Sequence, residues 1–300
     1  MEIQKIDYLV HLAKSQNIKR IVIAAAADLH VLEALKMAVE MQIVQAILVG
    51  DEAEIIKIAK SIQFDVSKLT IIDEKDVVKA SQKAVSMVRN HEAEILMKGL
   101  VATSVLLKAV LDEEKGLRTG ALLSHIAFFE SPYYHKIFCV TDAAMNISPT
   151  LEQKISIIEN AVEAYHKLGI TTPKVAIVAA VEVVNPKMEA TVHADLIRQM
   201  NKKQQIKNCE IDGPLALDNI VSKEAAKHKG IESNVAGNAD IILVPDINVG
   251  NVFYKALNFM GGAISAAVIM GASVPIVLTS RSDSKESKLM SIVLASAMKY

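Results

Sequence analysis

The sequence has no tryptophan, two cysteines and only 4% aromatic residues among 300. Cys139 and Cys209 are too few to staple a disulfide scaffold and fit a reducing, cytoplasmic compartment. Neither lies in a C-x-x-C pair, and the eight histidines show no H-E-x-x-H spacing, so no metal site is expected. Charge of one sign is also lacking. The 33 basic and 34 acidic residues give a formal net charge of -1, with no basic surplus for nucleic acid. The first residues, Met1-Glu-Ile-Gln-Lys5, lack the basic-then-apolar pattern of a signal peptide. No G-x-G-x-x-G follows a strand-like run, and G-x-x-x-x-G-K-[ST] and G-x-S-x-G are missing. Those absences argue against a standard dinucleotide fingerprint, a P-loop and a nucleophile elbow.

Aliphatic residues are what the chain has in quantity, with 51% of it hydrophobic. An interior of Ala, Val, Ile, Leu and Met suits parallel strands covered by helices on both faces. The length corresponds to two domains of roughly 150 residues each. One uncharged stretch, Ala256 to Ser280, is long enough to cross a bilayer. Gly261, Gly262, Gly271 and Pro275 interrupt it, and it reads instead as a buried helix followed by the strand Pro275–Thr279. No membrane span is therefore expected.

Strand-like runs alternate with helical stretches along the whole chain. Arg20–Ala26, Val44–Val49, Leu69–Ile72, Glu94–Met97 and Lys136–Val140 are such runs, and Lys174–Ala180, Asn208–Ile211 and Asp240–Val244 continue them. The alternation predicts an α/β fold with mainly parallel sheets and right-handed crossovers. The Gly116-Leu-Arg-Thr-Gly120 turn is the expected domain boundary.

Polar residues gather where the predicted strands end. Met97-Lys-Gly99, Val140-Thr-Asp142, Val244-Pro-Asp246 and Leu278-Thr-Ser-Arg281 are examples. Ligands of open α/β sheets bind beyond the carboxyl ends of strands, although each of these turns also reads as a helix N-cap. Ser280-Arg281 precedes the helix Lys285–Met298, where amides, a hydroxyl and a guanidinium can converge on a phosphate. Asp246-Ile-Asn-Val-Gly-Asn251 opens another helix, with Tyr254 and Lys255 one turn inside it. Lys98-Gly99 and Thr103-Ser104 repeat the theme. His125 reads as a structural histidine and Cys139 as a small core residue. These residues predict an α/β protein that binds phosphate-bearing small molecules between two lobes.

Several segments, in one order, resemble the phosphate acetyl/butyryltransferase family. They are Val140-Thr-Asp-Ala-Ala-Met-Asn-Ile-Ser-Pro-Thr150, Ile211-Asp-Gly-Pro-Leu-Ala-Leu-Asp218, Val235-Ala-Gly-Asn-Ala-Asp240, Val244 through Ala256, and Leu278-Thr-Ser-Arg281. The resemblance implies a two-domain, isocitrate/isopropylmalate-dehydrogenase-like fold, with residues 1–118 plus 269–300 in one domain, 119–268 in the other, and an interdomain cleft. It implies reversible exchange of acyl-CoA plus inorganic phosphate with acyl phosphate plus coenzyme A. Coenzyme A is then substrate and product, with no permanently bound cofactor, and a homo-oligomer is expected.

The same resemblance assigns phosphate to Ser280 and Arg281, with Lys98, Thr103 or Lys255 as further donors. Asp246, Asn248, Asn251 and Tyr254 join them as substrate-binding candidates. Acetyl-transferring members carry an arginine at the position of Asn258 and an acidic, thiol-activating residue at that of Ser287. The base here is then Asp283, Glu286 or no side chain at all. Thr279 through Ser284, and Arg118-Thr-Gly-Ala-Leu-Leu-Ser-His125, are closer to the butyryl-transferring branch. The expected activity is butyryl or branched short-acyl transfer. The alternatives are acetyl transfer, or a non-catalytic sensor of the same fold that binds coenzyme A or acyl phosphate.

Overall fold

The computed structural model describes residues 3–279 and 283–299. The chain opens with α1 (Asp7–Lys14), β1 (Lys19–Ala24), α2 (Leu29–Glu40), β2 (Val44–Gly50) and α3 (Glu52–Ser61). It continues through β3 (Thr70–Asp73), α4 (Val77–Arg89), β4 (Ile95–Lys98) and α5 (Thr103–Val110). Next come β5 (Ser124–Glu130), β6 (Phe138–Thr141), α6 (Leu151–Lys167), β7 (Lys174–Val178) and α7 (Glu189–Lys202). After these follow β8 (Glu210–Leu215), α8 (Leu217–Val221), α9 (Lys223–His228), β9 (Ile241–Leu243) and α10 (Ile247–Phe259). The last elements are β10 (Ile264–Met270), β11 (Ile276–Val277) and α11 (Lys285–Ala297).

The chain divides into two compact units. A central unit holds 122–265 together with the described residues of 1–6, and a flanking unit holds 7–121 with 266–299. In the flanking unit the strand order is β3-β2-β1-β4-β11-β10, parallel except for the antiparallel β11·β10 pair. In the central unit it is β5-β6-β9-β7-β8, parallel except for β5·β6. The sheets are therefore mixed, with parallel pairing dominant.

Burial explains the long apolar runs. Ile21, Val22, Ile23 and Ala24 of β1 and Ile95, Leu96 and Met97 of β4 are fully buried, as strands covered on both faces must be. Every residue of α11 from Lys288 to Ala297 is buried, and the helix packs on α1 and α2. Each large aliphatic side chain so buried contributes roughly 1.5–3 kcal/mol. The scarce aromatics concentrate in the central unit, where Phe128 packs on Tyr165 and Phe129 on Phe138. The flanking unit has only Tyr8 and Phe64.

Asp240 ties the strand starts of the central unit together. Its Oδ1 meets buried Lys136 Nζ at 2.6 Å, and its Oδ2 accepts from the Lys174 amide at 2.8 Å. Its carbonyl accepts from the Cys139 amide at 2.7 Å and the Tyr165 hydroxyl at 2.6 Å.

Each strand-like run of the sequence overlaps an observed strand, and β5 and β10 are additions. The reading of Ala256–Ser280 as one helix and one strand is corrected. Helix α10 stops at Phe259, and Ile264–Met270 is a buried strand that turns back antiparallel into β11. Ile-Ser-Ala-Ala-Val-Ile-Met lacks polar alternation because all but its first residue is buried. No helix among the described residues is long and apolar enough to cross a membrane.

Candidate active site

In the flanking unit β1, β4 and β11 run parallel, so their carboxyl ends share one edge. Lys98 closes β4 and is buried, and its Nζ donates to the Gly99 and Val101 carbonyls at 3.2 Å each. The ammonium is thus fixed at the sheet edge. Gly99 lies so close to β1 that a Cβ there would collide with the Ala25 carbonyl oxygen. Its amide and that of Leu100 donate to Ala24 and Ala25 carbonyls at 2.8 and 2.6 Å. Thr103 begins α5 and is exposed, as is Ser104. The N-cap is Ala102, which supplies no side-chain cap, so Thr103 is not itself a capping residue.

Ser280 and Arg281, the first two catalytic candidates, lie outside the described residues. Asp283, the third, is described, and its main-chain carbonyl accepts from Lys288 Nζ at 2.6 Å. Ser284 caps α11, its Oγ accepting from the Ser287 amide at 3.1 Å. Glu286 is exposed. Its own backbone amide and the Ser284 hydroxyl hold its carboxyl below the usual range, which makes it a weak proton acceptor.

In the central unit the remaining candidates sit on α10. Asp246 is its N-cap, with Oδ1 accepting from the Asn248 and Val249 amides at 2.8 and 3.1 Å. Asn248, Asn251 and Lys255 are exposed. Tyr254 faces the other way. It is buried, with its ring edge-on to His125 at 5.8 Å and to Phe129 at 5.4 Å. Adjacent helical residues point about 100° apart, so Tyr254 and Lys255 do not share a face.

The loop after β6 is braced against this helix. Buried Asp142 accepts from the Ala144 and Met145 amides through Oδ1, both at 2.9 Å, and from Asn146 Nδ2 through Oδ2 at 2.6 Å. Asn146 Nδ2 also donates to the Leu123 carbonyl at 2.9 Å. The Ile247 amide donates to the Ile147 carbonyl at 3.0 Å, and Asn251 Nδ2 to the Ala143 carbonyl at 3.3 Å. A Cβ on Gly250 would stand 2.6 Å from the Asp142 carbonyl oxygen. Helix and loop therefore fit only with glycine there.

Two clusters carry no signal in the sequence. Lys154 Nζ is 3.0 Å from His193 Nδ1, whose other nitrogen is 3.4 Å from Glu189. Glu182 accepts from Asn219 Nδ2 at 2.5 Å and Lys229 Nζ at 2.7 Å, and Lys229 also reaches Asp218 at 3.1 Å. Glu189 and His193 are one helical turn apart, but Lys154 lies 39 residues from His193, and Glu182 lies 37 and 47 residues from Asn219 and Lys229, so no motif spacing joins either cluster. Among the described residues no group of three His, Cys, Asp or Glu side chains is placed to hold a metal.

The family described as "Phosphate acetyl/butaryl transferase" matches residues 5–83 and 73–296. The chain belongs to this family. Phosphate butyryltransferase of Clostridium acetobutylicum is 46% identical over 293 residues, covering 98% of this chain and 97% of that protein. Phosphate acetyltransferase of Thermotoga maritima is 45% identical over 290 residues, 97% and 98% of the two chains. Among solved structures, a branched-chain phosphotransacylase from Enterococcus faecalis V583 matches with a TM-score of 0.84 and 36% identity, covering 94% of this chain and all of that one.

Proposed function

We propose that the protein is a phosphate butyryltransferase, moving a short acyl group between coenzyme A and inorganic phosphate. The observation that carries the reading is 46% identity, almost end to end, with the clostridial enzyme. A phosphate oxygen attacks the thioester carbonyl, and the carbon–sulfur bond breaks from the tetrahedral intermediate. The proton of hydrogen phosphate ends on the departing thiolate, so the products are acyl phosphate and coenzyme A.

The chemical demands are modest. A dianion must be held, an oxyanion stabilised, and a proton passed to or from a thiol of pKa about 8.5. Ser280 and Arg281 hold the phosphate, supported by the fixed ammonium of Lys98 and the exposed Thr103 hydroxyl. Asp283 carries the proton. Asn248, Asn251 and Lys255 are the polar side chains that α10 offers to substrate. Alignment of two substrates supplies much of the acceleration. A cytoplasmic homo-oligomer belongs to the same reading, supported by Val252, Phe259 and Met260, which α10 and its end leave exposed.

Thiol release from acetyl-, butyryl- and isobutyryl-CoA in the presence of phosphate tests the proposal. Butyryl-CoA is expected to turn over fastest. Faster release from acetyl-CoA moves the assignment to acetyl transfer, the alternative supported by 45% identity to an acetyltransferase. Binding of coenzyme A without release from any donor makes the protein a sensor. Arg281→Ala is expected to raise the phosphate KM about tenfold or more. An unchanged phosphate KM removes Arg281 from the site.

A further inference from the structure

A cavity of about 520 Å³ lies within the central unit, at the edge of the sheet away from α10. Lys174 opens β7 and Asn238 precedes β9, so the cavity sits at the amino ends of these parallel strands. Asp142 and Asp246 follow the carboxyl ends of β6 and β9, at the opposite edge.

The lining of the cavity is cationic. Lys174, Lys223 and Lys227 stand against one acidic side chain among the described lining residues, the exposed Glu232. None of the three ammoniums has a carboxylate or a hydrogen-bond partner. Lys229, two places after Lys227, shows the contrast, held by both Glu182 and Asp218. Lys223 and Lys227 are one turn apart on α9, a spacing at which like charges meet and weaken a helix. Nothing in the fold offsets that repulsion, whereas a bound anion would.

Two neutral donors add to the lining. Ser233 Oγ accepts from the Val235 and Ala236 amides at 3.1 and 3.2 Å, which leaves its hydrogen to donate. Asn238 Oδ1 is 3.1 Å from His135 Nε2, which leaves its Nδ2 hydrogens. The wall is also preformed. Gly237 has a φ of +67°, and a Cβ there would stand 2.5 Å from the Lys223 nitrogen. The Ile231 amide donates to the Ala226 carbonyl at 3.0 Å and the Gly237 amide to the Asn219 carbonyl at 2.8 Å. The segment 231–237 is thereby held against α9.

We propose that this cavity is a second ligand site, apart from the substrates of acyl transfer, for a small compound bearing two or more phosphoryl groups. Three ammoniums against one carboxylate call for a dianion or more, and phosphoryl oxygens accept from ammonium, hydroxyl and amide donors alike. Ala226 and Ile231 give the same wall an apolar part, and the volume is that of a small-molecule site. The inference does not depend on the transferase reading, because its readout is binding.

Titration of the isotope-labelled full chain with inorganic pyrophosphate, followed through the amide resonances of 223–238 and Lys174, tests the proposal. Saturable shifts are expected there, with an affinity at least about tenfold above that for orthophosphate. Fructose bisphosphate, whose phosphates stand on a carbon skeleton, separates two sources of the chemistry. Tighter binding than pyrophosphate assigns an organic ligand, and weaker binding an inorganic one. The double variant Lys223→Gln/Lys227→Gln is expected to bind pyrophosphate about tenfold or more weakly, with an unchanged melting temperature. Lys174→Gln, on a different element, is expected to weaken binding as well. Absent shifts at 223–238, equal affinity for orthophosphate, or wild-type binding in the variants overturns the proposal. So do equal shifts at exposed lysines elsewhere, such as Lys203 and Lys207, which mark diffuse attraction to positive charge.

Discussion

Lys154 and His193 show how much a residue's chemistry depends on neighbours remote in the chain. Burial lowers the His193 pKa below its ordinary value near 6.5, the Lys154 charge lowers it further, and Glu189 and Glu152 oppose both. A neutral imidazole can accept from the ammonium, whereas an imidazolium repels it. Because the folded value is the lower one, the unfolded chain takes up the proton first as pH falls. The contribution is complete above about pH 6.5 and is lost as pH drops toward the folded value. The melting temperature is therefore expected to fall between about pH 7 and pH 5, and less steeply in His193→Gln. Parallel slopes in the two proteins would refute the assignment. Nothing along the chain hints at this pair, since Lys154 sits among polar residues in Leu-Glu-Gln-Lys and reads as solvated. It is buried because α6 packs against β5, β6, β9 and α7 at once. Asp246, in contrast, is legible, because Asp before an apolar helical stretch is a capping signal and the structure has that cap.

Among the elements, α10 does the most to connect fold and site. One side of it presses on the loop after β6, where Asn251 Nδ2 donates to the Ala143 carbonyl, and the other carries Asn248 and Lys255 into the open. Gly250→Ala puts a methyl 2.6 Å from the Asp142 carbonyl oxygen, so helix and loop must separate. A stability loss of about 1–3 kcal/mol is expected, as for other overpacked sites. Activity should fall with it, because Asn251 loses its anchor on the Ala143 carbonyl. Denaturant unfolding and the thiol-release assay check both effects, and full activity would show that the fit of helix to loop is unimportant. Most strands are legible because a β-branched cluster ended by a polar turn, such as Arg20–Ala26, fits a strand and little else. β10 is not. A strand buried on both faces loses its alternation, and next to a glycine-broken helix its residues suit either structure.

For the whole molecule, the aliphatic interior and the alternation of strand-like and helical stretches suffice for the α/β class, since both are local properties of the chain. The wrapping of the chain, with 266–299 joining 7–121 in one unit, depends on contacts distant in sequence, so composition and periodicity carry no trace of it and only the family resemblance implies it. The uneven placement of the aromatics has a spectroscopic side. With no tryptophan, ultraviolet emission comes from tyrosine, and of the described tyrosines only Tyr8 belongs to the flanking unit. Tyr133, Tyr134, Tyr165 and Tyr254 all report on the central one. Far-ultraviolet circular dichroism reports on the helices of both. Urea titrations followed by the two signals therefore measure, without labels or mutations, whether the units melt as one: coincident curves mean a single cooperative transition, and a gap between them is the difference in stability between the two halves.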